Sequence, residues 1–194
     1  MPELTGIGKY TGEMAEWLAA RGHEVRVVTA PPYYPAWKVT EGYTGWRYQR
    51  EGDKATLTGL PRRYAPRNDG AVEMVVYRCP LWVPGRPSGL KRILHLASFA
   101  LSSLPVMLRQ TFWRPDVVWV VEPPLFCSPA ALLTARLCGA KSWLHVQDFE
   151  VDAAFDLGIL KAGLLRRWVL AVERWLMRRF DHVLTFPRKF VFQG

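Results

Sequence analysis

The run "DVVWVVE" at residues 116–122 narrows the possible folds more than any other stretch of the chain. It is rich in valine, nearly all apolar and too short for a helix, so it reads as a strand. A strand that is apolar at every position has no face to offer to water. Such runs belong in parallel sheets covered by helices on both sides. The rest of the chain supplies the helices. Residues 9–21 place Met14, Trp17 and Leu18 on one face and stop at Gly22, and "EVRVVT" (24–29) follows as a strand. "AVEMVVYRC" (71–79) reads as the next strand, and residues 90–110 as a long helix capped by Ser88 and kinked at Pro105. Beyond "DVVWVVE" come a helix over 129–137 ended by Gly139, a strand over 141–148, a basic helix over 160–179 and a last strand over 182–186. Residues 40–70 are polar, rich in Gly, Pro and Arg, and without a period, so they read as a long loop. Helices alternating with strands predict an α/β fold, a Rossmann-like doubly wound parallel sheet with right-handed crossovers. Ligands of such sheets bind beyond the C-terminal ends of the strands. The unusual loops "APPYYP", "CPLWVPGRP", "EPPLFCSP" and "HVQDFEVD" all fall there.

The formal charge of +9 favours an anionic partner: phosphate, a membrane surface or nucleic acid. Nucleic acid is disfavoured, because the basic residues are spread along the chain and no recognised binding motif occurs. Many of the nine tryptophans sit beside Arg or Lys, as in "GWRY", "FWRP", "RRWVL" and "ERWLMRR". That mix suits a membrane–water interface, and it equally suits ordinary core tryptophans with solvated arginines. Cys79, Cys127 and Cys138 are odd in number and form no C-x-x-C pair, so neither a disulfide framework nor a zinc site is indicated, and a reducing cytoplasm fits best. No secretory leader is read at the N-terminus. The longest apolar stretch, 93–108, is shorter than a membrane span and is broken by His95, several Ser and Pro105, so no transmembrane helix is read.

The segments "ELTGIGKYTGEMAEWLAARGHEVRVVTAPPYYP", "RCPLWVP", "RPSGLKRILHLASFALSSLP", "RPDVVWVVEPPLFCSPAALLTARLCGAKSWLHVQDFEVDAAFDLG" and "RRFDHVLT" resemble the N-terminal domain of a family-four glycosyltransferase of GT-B architecture, of the colanic-acid-biosynthesis type. The likeness runs from residue 2 to about 185, and the stretch 116–158 is its most specific part. It implies a retaining hexosyltransferase of bacterial exopolysaccharide assembly. Such an enzyme moves a sugar from a nucleotide-sugar donor to a lipid-linked oligosaccharide acceptor, and it works as a cytoplasmic, peripheral protein on the inner face of the plasma membrane. Residues 1–186 would be the acceptor-side domain, and 187–194 depart from the family pattern. An apolar strand before "PELTGIGKY" and a C-terminal donor domain with paired glutamates, both family features, are missing from this sequence. The chain is therefore expected to be a fragment, inactive alone. A non-catalytic domain binding membrane surfaces or anions is the alternative.

The resemblance and the residues together give the candidate site. Thr5, Gly6 and Gly8 precede the first helix. Glycine there admits close backbone approach, and the helix N-terminus favours a donor diphosphate or an acceptor hydroxyl; the bland reading is a tight turn. His145 stands where the family places a cleft histidine, able to hydrogen-bond a sugar hydroxyl or the leaving phosphate. Glu122, at a strand tip, either holds sugar hydroxyls or ends a buried strand. Gln147 and Asp148 follow His145 and are read as acceptor contacts. Glu150 and Asp152 lie close by, but no metal and no cofactor are expected, since the group lacks D-x-D and GT-B enzymes generally need none. Lys91, Arg92 and Arg109 flank the apolar stretch and are read as membrane contacts. The later helix, amphipathic, basic and Trp-bearing, could lie in an anionic lipid interface, but it is read as core-facing with its arginines solvated.

Overall fold

The computed structural model describes residues 6–52, 74–86, 88–122, 125–146 and 163–185. It divides into two compact units, Met1–Val106 and Met107–Gly194.

The first unit contains α1 (Gly6–Ala19), β1 (Val25–Thr29), β2 (Gln49–Glu51), β3 (Met74–Arg78) and most of α2 (Gly89–Arg109). Its strands lie in the order β1-β3-β2. β1 and β3 run parallel, with Val25 opposite Met74 and Thr29 opposite Arg78, and β2 joins β3 antiparallel. β2 falls inside the stretch expected to be loop, a correction that follows from one ion pair. Arg78 is only 4% exposed, and burying an unpaired guanidinium is costly. Its Nε and Nη2 donate to the two carboxylate oxygens of Glu51, at 2.6 and 3.2 Å, and Nη1 donates to the Ala30 carbonyl at 3.1 Å. The Tyr43 ring lies beneath it at 4.7 Å. One side chain on β3 thus holds the polar strand "QRE" and the end of β1.

α1 also departs from expectation. Its buried face is Ala15 and Ala19, whose small side chains let the helix seat closely, whereas Trp17 is 42% exposed. Arg21 holds that ring outward, its guanidinium 3.4 Å from the ring centre. Gly22 takes φ +86 and ends the helix as expected. The core of this unit is Val75, Val76, Cys79 and Leu81. Gly52, at φ +102, lies against the backbone of Met74, where a side chain has no room.

The second unit contains β4 (Val117–Glu122), α3 (Ser128–Cys138), β5 (Lys141–Val146), α4 (Gly163–Met177) and β6 (His182–Thr185). A 3-10 turn, Gln110–Phe112, leads out of α2. The strands are parallel in the order β4-β5-β6. Gly139, at φ +71, caps α3. Val118, Val120, Leu144 and Val146 form the inner sheet face and pack with Ala131, Leu132, Ala135, Leu176 and Phe180. Among the described residues the core of this unit lies against one face of β4, and Val117 is 46% exposed. The other face carries Trp119, Trp143 and His145, all half-buried. Among the described residues β1 and β4 each have a single strand neighbour. The α/β class expected from the sequence is present, its strands in two three-stranded sheets.

Asp181 fixes the entry to β6. Its carboxylate accepts from the Ser142 N–H and hydroxyl, each at 2.8 Å, and from Lys141 Nζ at 3.3 Å. These bonds, the Ser142 backbone first, hold the carboxyl at about 2 against an ordinary 3.8.

Three outcomes follow. Glu51→Gln leaves the buried Arg78 with a neutral partner. Because Glu51 itself is 41% exposed, the loss is about 2 kcal/mol, less than for a fully buried pair, and a denaturant titration reads it. Asp181 is stabilising while ionised in the fold. Its contribution is full above pH 3.8 and disappears as pH falls toward 2, so Asp181→Asn flattens acid-induced loss of the melting temperature in that window. Burial pushes the Cys79 thiol up to about 12, so Cys79 resists alkylation at neutral pH until denaturant is added, as mass spectrometry would show.

Candidate functional site

β5 delivers His145 at its penultimate position, opposite Val121 on β4 and Leu184 on β6. Strand alternation sends Leu144 and Val146 into the core and leaves His145 on the opposite face with Trp143. The Trp119 ring centre is 6.1 Å from the imidazole, and Trp119 and Trp143 lie 5.7 Å apart. Their indole N–H groups are buried without an acceptor. Burial pushes the His145 pKa below its ordinary value, so the ring is neutral at pH 7. A neutral imidazole both donates and accepts, which suits hydroxyl groups rather than a fixed charge. Glu122 is the last residue of β4 and pairs with Val146, one step beyond the Val121–His145 pair. Adjacent parallel strands thus bring Glu122 and His145 to the same C-terminal edge. Gln147 and Asp148 lie outside the described residues, as does Thr5.

Gly6 and Gly8 require a correction. They form the first turn of α1 rather than a loop before it. The helix continues through both glycines, so the free N–H groups there are those of a helix N-terminus. Lys91, Arg92 and Arg109 are all exposed on α2. Leu90, Leu94 and Leu101 share one line of the same helix and are 69, 52 and 72% exposed. Arg92 also reaches the Trp37 ring, at 5.4 Å.

A second cluster escaped sequence reasoning. His95 of α2 is 2% exposed, and its ring meets Tyr33 at 4.8 Å and Trp37 at 5.4 Å. Its Nδ1 lies 2.6 Å from the Trp82 carbonyl. A carbonyl only accepts, so Nδ1 carries the proton. Desolvation is the main cause of a lowered His95 pKa, with the Arg92 charge adding to it and the Trp82 bond opposing. Tyr33 and Trp37 belong to the proline-rich loop after β1, and Trp82 to the one after β3. The only signal in the sequence was aromatic residues in loops at strand ends. Among the described residues no group of three His, Cys, Asp or Glu is placed to hold a metal ion, and no helix is long and apolar enough to cross a membrane.

Residues 5–191 match the glycosyl transferase 4-like domain. Over 190 residues the chain is 50% identical to a protein of Escherichia coli K12 that bears the name colanic acid biosynthesis glycosyl transferase WcaI. That alignment covers 96% of this chain and 42% of the relative, so the chain spans less than half the relative's length. No solved structure gives a significant match. The family match runs through both units, from the start of α1 past β6, and the chain belongs to the glycosyl transferase 4-like family.

Proposed function

We propose that this chain is the acceptor-side part of a glycosyltransferase of bacterial exopolysaccharide biosynthesis of the colanic-acid kind. The observation that carries the reading is the 50% identity over 96% of the chain to the colanic acid relative. In the proposed reaction the bond between the anomeric carbon and the donor diphosphate breaks. A hydroxyl of a lipid-linked oligosaccharide takes its place with retained anomeric configuration, and its proton goes to the departing diphosphate. His145, neutral and at a strand's C-terminal edge, hydrogen-bonds a sugar hydroxyl or the departing phosphate. Glu122, Gln147 and Asp148 hold the acceptor, and the α1 N-terminus, with Thr5, Gly6 and Gly8, faces donor phosphate or acceptor hydroxyl. The reaction uses no metal in this reading.

Residues 1–186 make up the acceptor-side domain, and the whole protein adds a donor domain and a strand ahead of α1. The 42% coverage of the relative supports the first addition, and the single strand neighbour of β1 among the described residues supports the second. The enzyme works in the cytoplasm against the inner leaflet. The exposed Lys91, Arg92 and Arg109, beside the leucine line of α2, support contact with anionic lipid.

The test is sugar transfer by the protein extended through its second domain, given nucleotide-sugars and a lipid-linked acceptor fraction. Transfer is expected from the extended protein and not from the 194-residue chain. His145→Ala lowers kcat by about a hundredfold with its melting temperature kept. An extended protein that binds lipid but transfers no sugar would favour the non-catalytic alternative, and an unchanged rate in the variant would remove His145 from the chemistry.

A further inference from the structure

α4 faces the core on one side, through Leu176 and Met177, and carries a second apolar line on the other. Trp168, Val172 and Trp175 stand four and then three residues apart, so they share one line along the helix, and they are 70, 47 and 54% exposed. Arg179, in the turn after the helix, continues that line, with its guanidinium 3.8 Å from the centre of the Trp175 ring. Arg167, Arg174 and Arg178 are exposed as well. Ala171, Arg174, Trp175, Arg178 and Arg179 line one shallow groove. The inward side is held by Leu176 and Phe180. Glu173, the only acidic residue in the helix, is 7% exposed and so does not face the stripe. Among the described residues of α4 and the turn after it, the outer surface therefore combines two large aromatic rings with cations and no exposed carboxylate of the helix.

We propose that α4 lies flat on an anionic phospholipid bilayer. Trp168, Val172 and Trp175 enter the boundary between headgroups and acyl chains, and Arg167, Arg174 and Arg178 meet the phosphates. Charge selects this occupant: the stripe offers no acceptor to a basic partner, and guanidinium beside indole is the pairing that a lipid–water interface satisfies at both ends. At 15 residues the helix is suited to lying in the surface rather than crossing it. The inference rests on the proposed membrane-bound acceptor for its purpose, while its test reads lipid binding and no turnover.

The experiment is co-sedimentation of the whole 194-residue chain with phosphatidylcholine vesicles, with and without phosphatidylglycerol. The variants are Trp168→Ser with Trp175→Ser, Arg174→Glu with Arg178→Glu, and, as a comparison on α2, Lys91→Glu with Arg92→Glu. All substituted side chains are exposed, and far-UV circular dichroism checks each fold. Binding to the anionic vesicles alone is expected, weakened about tenfold or more in both α4 variants. α4 variants that bind like the parent while the α2 variant loses binding would overturn the α4 assignment and leave the membrane reading standing. A parent chain that binds neither vesicle would overturn both. A parent dimer that becomes monomeric in the tryptophan variant, with lipid binding unchanged, would make the stripe a contact between copies and also overturn the proposal.

Discussion

A guanidinium withdrawn from water between three strands sets the terms for the first unit. Arg78 has donors in a rigid planar fork, and each must find an acceptor where solvent cannot supply one. Glu51 and the Ala30 carbonyl are those acceptors, and neither belongs to the strand that carries Arg78. The arginine therefore decides that "QRE" becomes a strand and where β1 stops. The loop that begins at Ala30 is held at its root, and further along it Tyr33 and Trp37 reach His95. A buried charge is poor evidence of stability, but it specifies one arrangement over its neighbours.

The second unit solves a similar problem with a carboxylate. Asp181 collects the Ser142 N–H and hydroxyl, and in return its own N–H donates to Ser142. This reciprocal clamp sets the register between β5 and β6, and register decides which face each side chain takes. With Leu144 and Val146 committed to the core, His145 has no choice of face. The candidate chemical group thus owes its place to a hydrogen-bond pair outside the site.

Much of this was legible in the sequence, for identifiable reasons. Gly22 and Gly139 marked helix ends because left-handed backbone there disfavours other residues. The valine-rich runs marked β1, β3 and β4; the strand-tip position singled out Glu122 and the family resemblance singled out His145, and the two share one edge. What stayed hidden depended on long-range partners. β2 is polar and exists through an ion pair between residues 51 and 78. Periodicity grouped Met14, Trp17 and Leu18, yet the sheet accepted the smaller Ala15 and Ala19 instead. The same limit applies to α4, whose mix of tryptophans and arginines did not say which side points to solvent. His95 gains its environment from residues 33, 37 and 82, and no local pattern announces that meeting.

Among the described residues β4 has one strand neighbour, and its other edge has a bearing on how this chain behaves among its own copies. Its sequence, "VVWVVE", presents one row of backbone donors and acceptors with no charge before Glu122 and no proline to blunt it. Edges of that kind are templates, and they are indifferent to whose strand arrives. In a concentrated solution, folding competes with intermolecular strand addition, and every doubling of concentration speeds only the second process. What covers this single six-residue strand therefore bears on the solubility of the isolated chain alongside its large positive charge.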